Sequence, residues 1–328
     1  MKKRLLELPG QVPILNIVSY GRSGPRSLTR SQRERVARTA HRVPEVMVKV
    51  SGGARTLAGV EQGLRYYGRN GKLGIEVDTG EHLGAKGFEG DLVRDWNLDI
   101  EAHQRQNARA VRAGRRPPKL VHNIIFSMPA GTPSDKVLKA VRKLMREEFA
   151  FTHRYAMVLH IDEPHPHVHV VLKAVSEQGV RFNIRKPTLR QWREQFASNL
   201  RELGVAANAT ERAVRGQPRT SKSDGIYRAA QRGESSYVRY LARRAVADKA
   251  MGEIEEGKAT LLETRKDVVD GWRAVSGRLR ADGYHDLAQH VDSFVERMPP
   301  VQTDQEAILE YGRSPLRPRD REPSAKTR

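Results

Sequence analysis

The sequence predicts an α+β protein, with a largely antiparallel sheet flanked by helices and a mainly helical carboxyl-terminal region after it. Three observations predict this. First, four segments have the apolar content and length of strands: EVMVKV at 45–50, LVHNIIFS at 120–127, RYAMVLHID at 154–162 and HVHVVLKAV at 167–175. Second, helical spacing recurs between and after them, in Leu57, Val60, Leu64 and Tyr67, in Val137, Val141, Leu144 and Met145, and in Trp192, Phe196, Leu200 and Leu203. Third, beyond Arg215-Gly216-Gln217-Pro218 the chain turns to long, charged, proline-free stretches, notably 237–280.

In chain order, residues 1–44 hold a short apolar island, Val12 to Val18, then glycine, proline and many arginines, and read as a flexible basic leader. In EVMVKV, Val46, Val48 and Val50 share one strand face. Ser51-Gly52-Gly53 turns the chain into the helix that ends at Tyr67, where Gly68 or Asn70-Gly71 stops it. KLGIEV at 72–77 reads as a further strand, and the charged stretch 78–118 as a flexible or irregular insertion. Pro129-Ala130-Gly131 ends the 120–127 strand, and Ser134-Asp135 opens a helix. Glu163-Pro164-His165-Pro166 joins the next two strands as an antiparallel pair, because proline cannot continue a ladder. The expected organisation is a leader over 1–44, a compact domain over 45–218, a helical accessory region over 219–311 and a disordered basic tail over 312–328.

Lysine and arginine number 59 against 39 aspartates and glutamates, a formal charge of +20 that favours a polyanionic partner. Cysteine is absent, which removes disulfides and thiolate metal sites and leaves histidine, carboxylate or other oxygen ligands. No apolar run is long enough to cross a bilayer, so no membrane insertion is expected and the cytoplasm is the default compartment.

The informative run is His160-Ile-Asp162-Glu-Pro-His165-Pro-His167-Val-His169. His167 and His169 point to one face of a strand, and the proline turn brings His160 beside them. Three neutral imidazoles could hold one divalent ion and leave positions open for phosphate oxygen and water. Asp162 is expected to orient a ligand histidine by accepting a hydrogen bond from its remote nitrogen, with direct coordination or a turn-stabilising role as alternatives. His165 sits outside the paired register and is a candidate for phosphate contact rather than coordination.

RYYGRNG at 65–71, FSMPAG at 126–131 and HIDEPHPHVHVV at 160–171 together resemble the VirD2-like relaxases of bacterial conjugative and mobilisable elements, within the HUH endonucleases. The resemblance is best over residues 45 to 215 and implies an HUH-type sheet. It also implies reversible, site- and strand-specific cleavage at an origin of transfer through a 5′-phosphotyrosyl intermediate. The nucleophile falls on Tyr66, with Tyr67 as competitor; His160, His167 and His169 match the metal positions, Asp162 the supporting acid, and Ser127 the motif that positions DNA. Arg65, Arg69 and Lys173 are further candidates for DNA contact, and Pro164 and Lys173 depart from close relatives. The implied cofactor is a divalent metal, Mg2+ or Mn2+. The implied partners are origin DNA with a single-stranded segment, relaxosome accessory proteins and a type IV secretion coupling protein, with transfer of the DNA-linked protein to a recipient cell. A rolling-circle replication initiator of the HUH group and a non-catalytic relaxosome scaffold are the alternatives.

Overall fold

The computed structural model describes residues 27–84, 87–98, 101–217, 258–303 and 306. The chain divides into two compact units, Arg42–Ala209 and a second drawn from Met1–His41 and Thr210–Arg328.

The first unit is built on a six-stranded sheet: β1 (Met47–Gly52), β2 (Ile75–Val77), β3 (His82–Leu83), β4 (Val121–Ser127), β5 (Tyr155–His160) and β6 (His167–Lys173). Their order is β1-β4-β6-β5-β2-β3, and every neighbouring pair is antiparallel. Alternation along each strand splits the side chains between two faces. One face carries Val48, Ile124, Phe126, Met157, Val168, Val170 and Leu172, and packs against α5 (Ser134–Phe149) and α6 (Lys186–Glu202). Trp192 and Phe196 of α6 meet Phe126 with ring centroids 6.4 and 5.4 Å away, so the centre of the sheet is fixed to that helix layer.

The opposite face is covered at one end only. There α2 (Leu57–Tyr67) and α3 (Phe88–Asp95) lay Val60, Leu64, Leu92 and Val93 over Val77, Val121, Ala156, Val158 and Val171. Thr56 caps the start of α2 through its hydroxyl, which accepts from the Gly59 amide at 3.1 Å. The other end of this face carries the histidines. Among the described residues, helices thus flank the sheet on both faces, and the histidine end of the second face is the part they leave uncovered.

Residues 78–118, expected to be an irregular insertion, contain α3 and α4 (Glu101–Arg112). Phe88, Leu92, Val93 and Trp96 have helical spacing that the surrounding charge disguises, and Trp96 is fully buried. The compact unit also closes at Ala209, short of residue 218.

In the second unit, α1 (Arg30–Ala40), α7 (Lys258–Ala281) and α8 (His285–Glu296) enclose Leu28, Val36, Trp272, Val275, Leu279, Val291 and Phe294. Part of the expected flexible leader is thus a helix, opened by a Thr29–Gln32 capping box and holding Val36 in an apolar core. The Val12–Val18 island and the expected disordered tail after residue 312 lie outside the described residues. Among the described residues no helix is long and apolar enough to cross a membrane.

Phe126 is fully buried between the sheet and two aromatic side chains of α6. Phe126→Ala is expected to cost about 3–5 kcal/mol of unfolding free energy, measured by denaturant titration; a loss below about 1 kcal/mol would mean that this layer is not packed as described.

Candidate active site

Antiparallel pairing of β5 with β6 sets His160 directly opposite His167, and His169 lies two residues further on, on the same face. The three ring centroids are 5.1 Å (160–167), 4.5 Å (160–169) and 5.1 Å (167–169) apart. One ligand nitrogen from each lies within 4.8 Å of the others. The convergence expected from the sequence is therefore observed.

Two of the rings are oriented by main-chain carbonyls. His160 Nε2 lies 2.7 Å from the Tyr67 carbonyl, which can only accept, so this nitrogen carries the proton and Nδ1 presents a lone pair. His167 Nδ1 lies 3.1 Å from the His165 carbonyl and by the same reasoning carries a proton, which directs Nε2 away from that carbonyl. His169 Nδ1 is buried without a hydrogen-bond partner among the described residues. Burial, reinforced by repulsion from Arg69 and His167, lowers the pKa of His160. Burial together with His160 and His167 takes His169 down to about 3. Convergent imidazoles, two of them held towards the neutral form and one with a buried nitrogen, fit a divalent cation.

Asp162 is placed differently from expectation. The hydrogen bonds that orient His160 and His167 go to carbonyls, whereas the Asp162 carboxylate pairs with Arg69 and sits 3.8 Å from His160 Nδ1. Partial desolvation works against its ionisation, but the hydrogen bond and charge of Arg69 prevail and hold its carboxyl below the usual range.

The tyrosine pair ends α2 beside this cluster. Tyr66 is 61% exposed, and its ring lies edge-on to Tyr67 at 5.5 Å. Tyr67 is half-buried and stacks on His169 at 4.4 Å, with its hydroxyl beside the polar side chains of Ser51 and Asn123. Burial raises the Tyr67 phenol above its ordinary pKa despite those polar neighbours. After the Gly68 cap, Arg69 and Asn70 adopt left-handed backbone with φ of +52° and +57°. That turn folds the Arg69 guanidinium back over Tyr66, with Cζ 5.5 Å from the ring centroid, while the same group reaches Asp162 and lies 3.3 Å from His160 Nδ1.

Other candidates divide. Ser127 is buried opposite His167, with Oγ 3.4 Å from the Met128 carbonyl. His165 is exposed on the turn, 3.5 Å from Glu163. Arg65 points instead to Glu89 at 3.6 Å. Lys173 lies at the far end of β6, buried, with its ammonium 2.7 Å from Glu177, so the structure does not bring it to the cluster. Sequence reasoning missed Lys49, which is exposed on β1 and aligned through Ile125 with His169. Its signal was present: in EVMVKV it alternates with the buried valines, which sends it to the histidine face.

Comparison with known proteins gives one family. Residues 67–205 match the model of "Relaxase: MobA/VirD2-like, nuclease domain", a match that begins one residue after Tyr66. T-DNA border endonuclease VirD2 of Agrobacterium fabrum is 26% identical over 211 residues, 60% of this chain and 46% of that protein. The protein of the same name from Rhizobium rhizogenes is 27% identical over 189 residues, 52% of this chain and 42% of its own. The chain thus spans under half the length of these relatives. A solved structure titled "Molecular Basis of Vancomycin Resistance Transfer in Staphylococcus aureus" aligns with 52% of this chain and 99% of its own at 13% identity and a TM-score of 0.32.

The lowered pKa of His169, about 3 in the folded chain against about 6.5 for a free imidazole, has a sign that can be tested. Protons bind the unfolded chain first, so this contribution to stability is complete above about pH 6.5 and is lost as pH falls towards the folded value. Thermal melts between neutral pH and about pH 4 should show a steeper fall for the native chain than for His169→Gln; parallel curves would contradict the assigned environment.

Proposed function

From the membership of this chain in the VirD2-like relaxases, within the HUH nuclease family, we propose that it cuts and rejoins one DNA strand at an origin of transfer, with Tyr66 as nucleophile. The observation that carries this reading is the exposed Tyr66 ring at the end of α2, joined through Arg69 to the three-histidine cluster. Tyr67 suits the role less well, because its ring is stacked on His169 and burial disfavours its phenolate.

His160, His167 and His169 would hold a divalent ion, Mg2+ or Mn2+, which when bound neutralises charge on the scissile phosphate. Tyr66 Oη forms a bond to phosphorus in line with the departing 3′ oxygen. The phenol proton passes to solvent, the leaving oxygen takes up a proton as a 3′ hydroxyl, and a 5′ phosphotyrosyl bond remains. Attack by a 3′ hydroxyl on that bond reverses the step and frees Tyr66. Arg69 holds the phenol towards the cluster, and Asp162 keeps the guanidinium in place. Ser127 beside His167, and Lys49 in line with His169, are suited to binding the strand on either side of the cut. The same reading assigns single-stranded origin DNA as substrate, accessory proteins and a secretion coupling protein as partners, and the bacterial cytoplasm as the site of action.

Incubation with origin single strands and Mn2+ is expected to give a denaturation-resistant protein–DNA adduct, absent in Tyr66→Phe and reduced but present in Tyr67→Phe. Adduct from Tyr66→Phe together with its loss in Tyr67→Phe would transfer the nucleophile to Tyr67. For Lys49→Gln, the slope of log affinity against log salt on single-stranded DNA should shrink by about 0.7; an unchanged slope would exclude Lys49 from the phosphate path.

A further inference from the structure

Two of the three histidines touch one residue that is itself no ligand. Tyr67 stacks its ring on His169 at 4.4 Å with an interplanar angle of 24°, and its carbonyl takes the His160 Nε2 proton at 2.7 Å. Its hydroxyl lies beside the polar side chains of Ser51 on β1 and Asn123 on β4, so the ring spans from the sheet's outer strand to the cluster. The adjacent Tyr66 ring is exposed to solvent.

We propose that Tyr67 is a positioning residue for the histidine cluster, its ring fixing the plane of His169 and its carbonyl fixing the tautomer of His160, while its hydroxyl ties the end of α2 to β1 and β4. The reason is geometric. A His169 side chain alone on an open sheet face can turn about its bonds to the main chain, and no hydrogen bond holds its buried Nδ1. A face-on aromatic neighbour restricts that rotation and keeps the ring directed at His160 and His167. The carbonyl, in turn, favours the His160 form whose Nδ1 carries the lone pair. A tyrosine pair at the end of one helix therefore divides its work: one ring faces the substrate side and the other holds the imidazoles.

This inference rests on the reading that the three histidines bind a divalent ion, and the test separates the two. Mn2+ binding to the full chain is measured by calorimetry without DNA for the native protein, Tyr67→Phe and Tyr67→Leu. Loss of an orienting partner typically weakens a metal site by about 10–100-fold; Tyr67→Leu is expected to fall in that range. Tyr67→Phe, which keeps the ring and carbonyl, should recover most of the affinity. In parallel, imidazole proton resonances of His169 should lie upfield in the native protein, remain so in Tyr67→Phe, and move to ordinary positions in Tyr67→Leu. Native affinity in Tyr67→Leu, or His169 resonances indifferent to the ring, would overturn the proposal. If Tyr67→Leu does not fold, Tyr67→Phe and the native resonances still decide it: loss of Mn2+ binding in Tyr67→Phe, or no upfield shift in the native chain, would contradict it. Absence of Mn2+ binding by the native protein would instead remove the metal reading itself.

Discussion

The arrangement depends on one register: His160 of β5 paired with His167 of β6. Side chains on adjacent antiparallel strands approach most closely when their residues are directly opposite, and those two apart on one strand share a face. That pairing, together with the period of two, places three imidazoles on neighbouring points of one sheet surface. A slip by one residue would send His167 and His169 into the layer occupied by Trp192 and Phe196, where burying their polar rings would be costly. The apolar run that β6 presents to α5 and α6 therefore keeps the register, and the register makes the cluster.

The second constraint is how α2 ends. Its apolar stripe packs Val60 and Leu64 on the sheet and carries the helix towards the histidines. Gly68 then stops it, and three successive positive-φ residues, Arg69, Asn70 and Gly71, reverse the chain so that Arg69 returns to Tyr66. Non-glycine residues in that conformation typically carry a cost of about 1 kcal/mol or more each. Here the turn is secured by hydrogen bonds from the Arg69 amide to the Tyr66 carbonyl at 3.1 Å and from the Asn70 amide to the Arg65 carbonyl at 2.9 Å. A phenol, a guanidinium, a carboxylate and three imidazoles are thereby gathered from α2, its following turn and one hairpin.

Much of this was legible in the sequence because it is local. The alternation in HVHVV, the prolines between two apolar runs and the glycine after a helical stripe specify β5, β6 and the end of α2 with little help from elsewhere. What escaped depends on contacts between distant residues. The helix of Phe88, Leu92 and Val93 lies in a charged stretch, and only burial against the sheet reveals its apolar side. Val36 seemed part of a mobile arm because its partners, Trp272 and Val275, stand far along the chain. Lys173 read as a DNA contact from its place after the histidines, yet seven residues of strand carry it to the other end of the sheet. Asp162 read as a partner of imidazole, but the left-handed turn brings Arg69 to it instead.

The proposed site joins the three histidines and Tyr66 around one divalent ion. Crystals grown with Mn2+ and a single-stranded DNA segment test this arrangement through anomalous scattering. One strong peak is expected, enclosed by nitrogens of His160, His167 and His169, with the Tyr66 hydroxyl facing a DNA phosphorus beside it. A peak bound elsewhere, or a DNA strand that avoids Tyr66 while the histidines hold the ion, would contradict it.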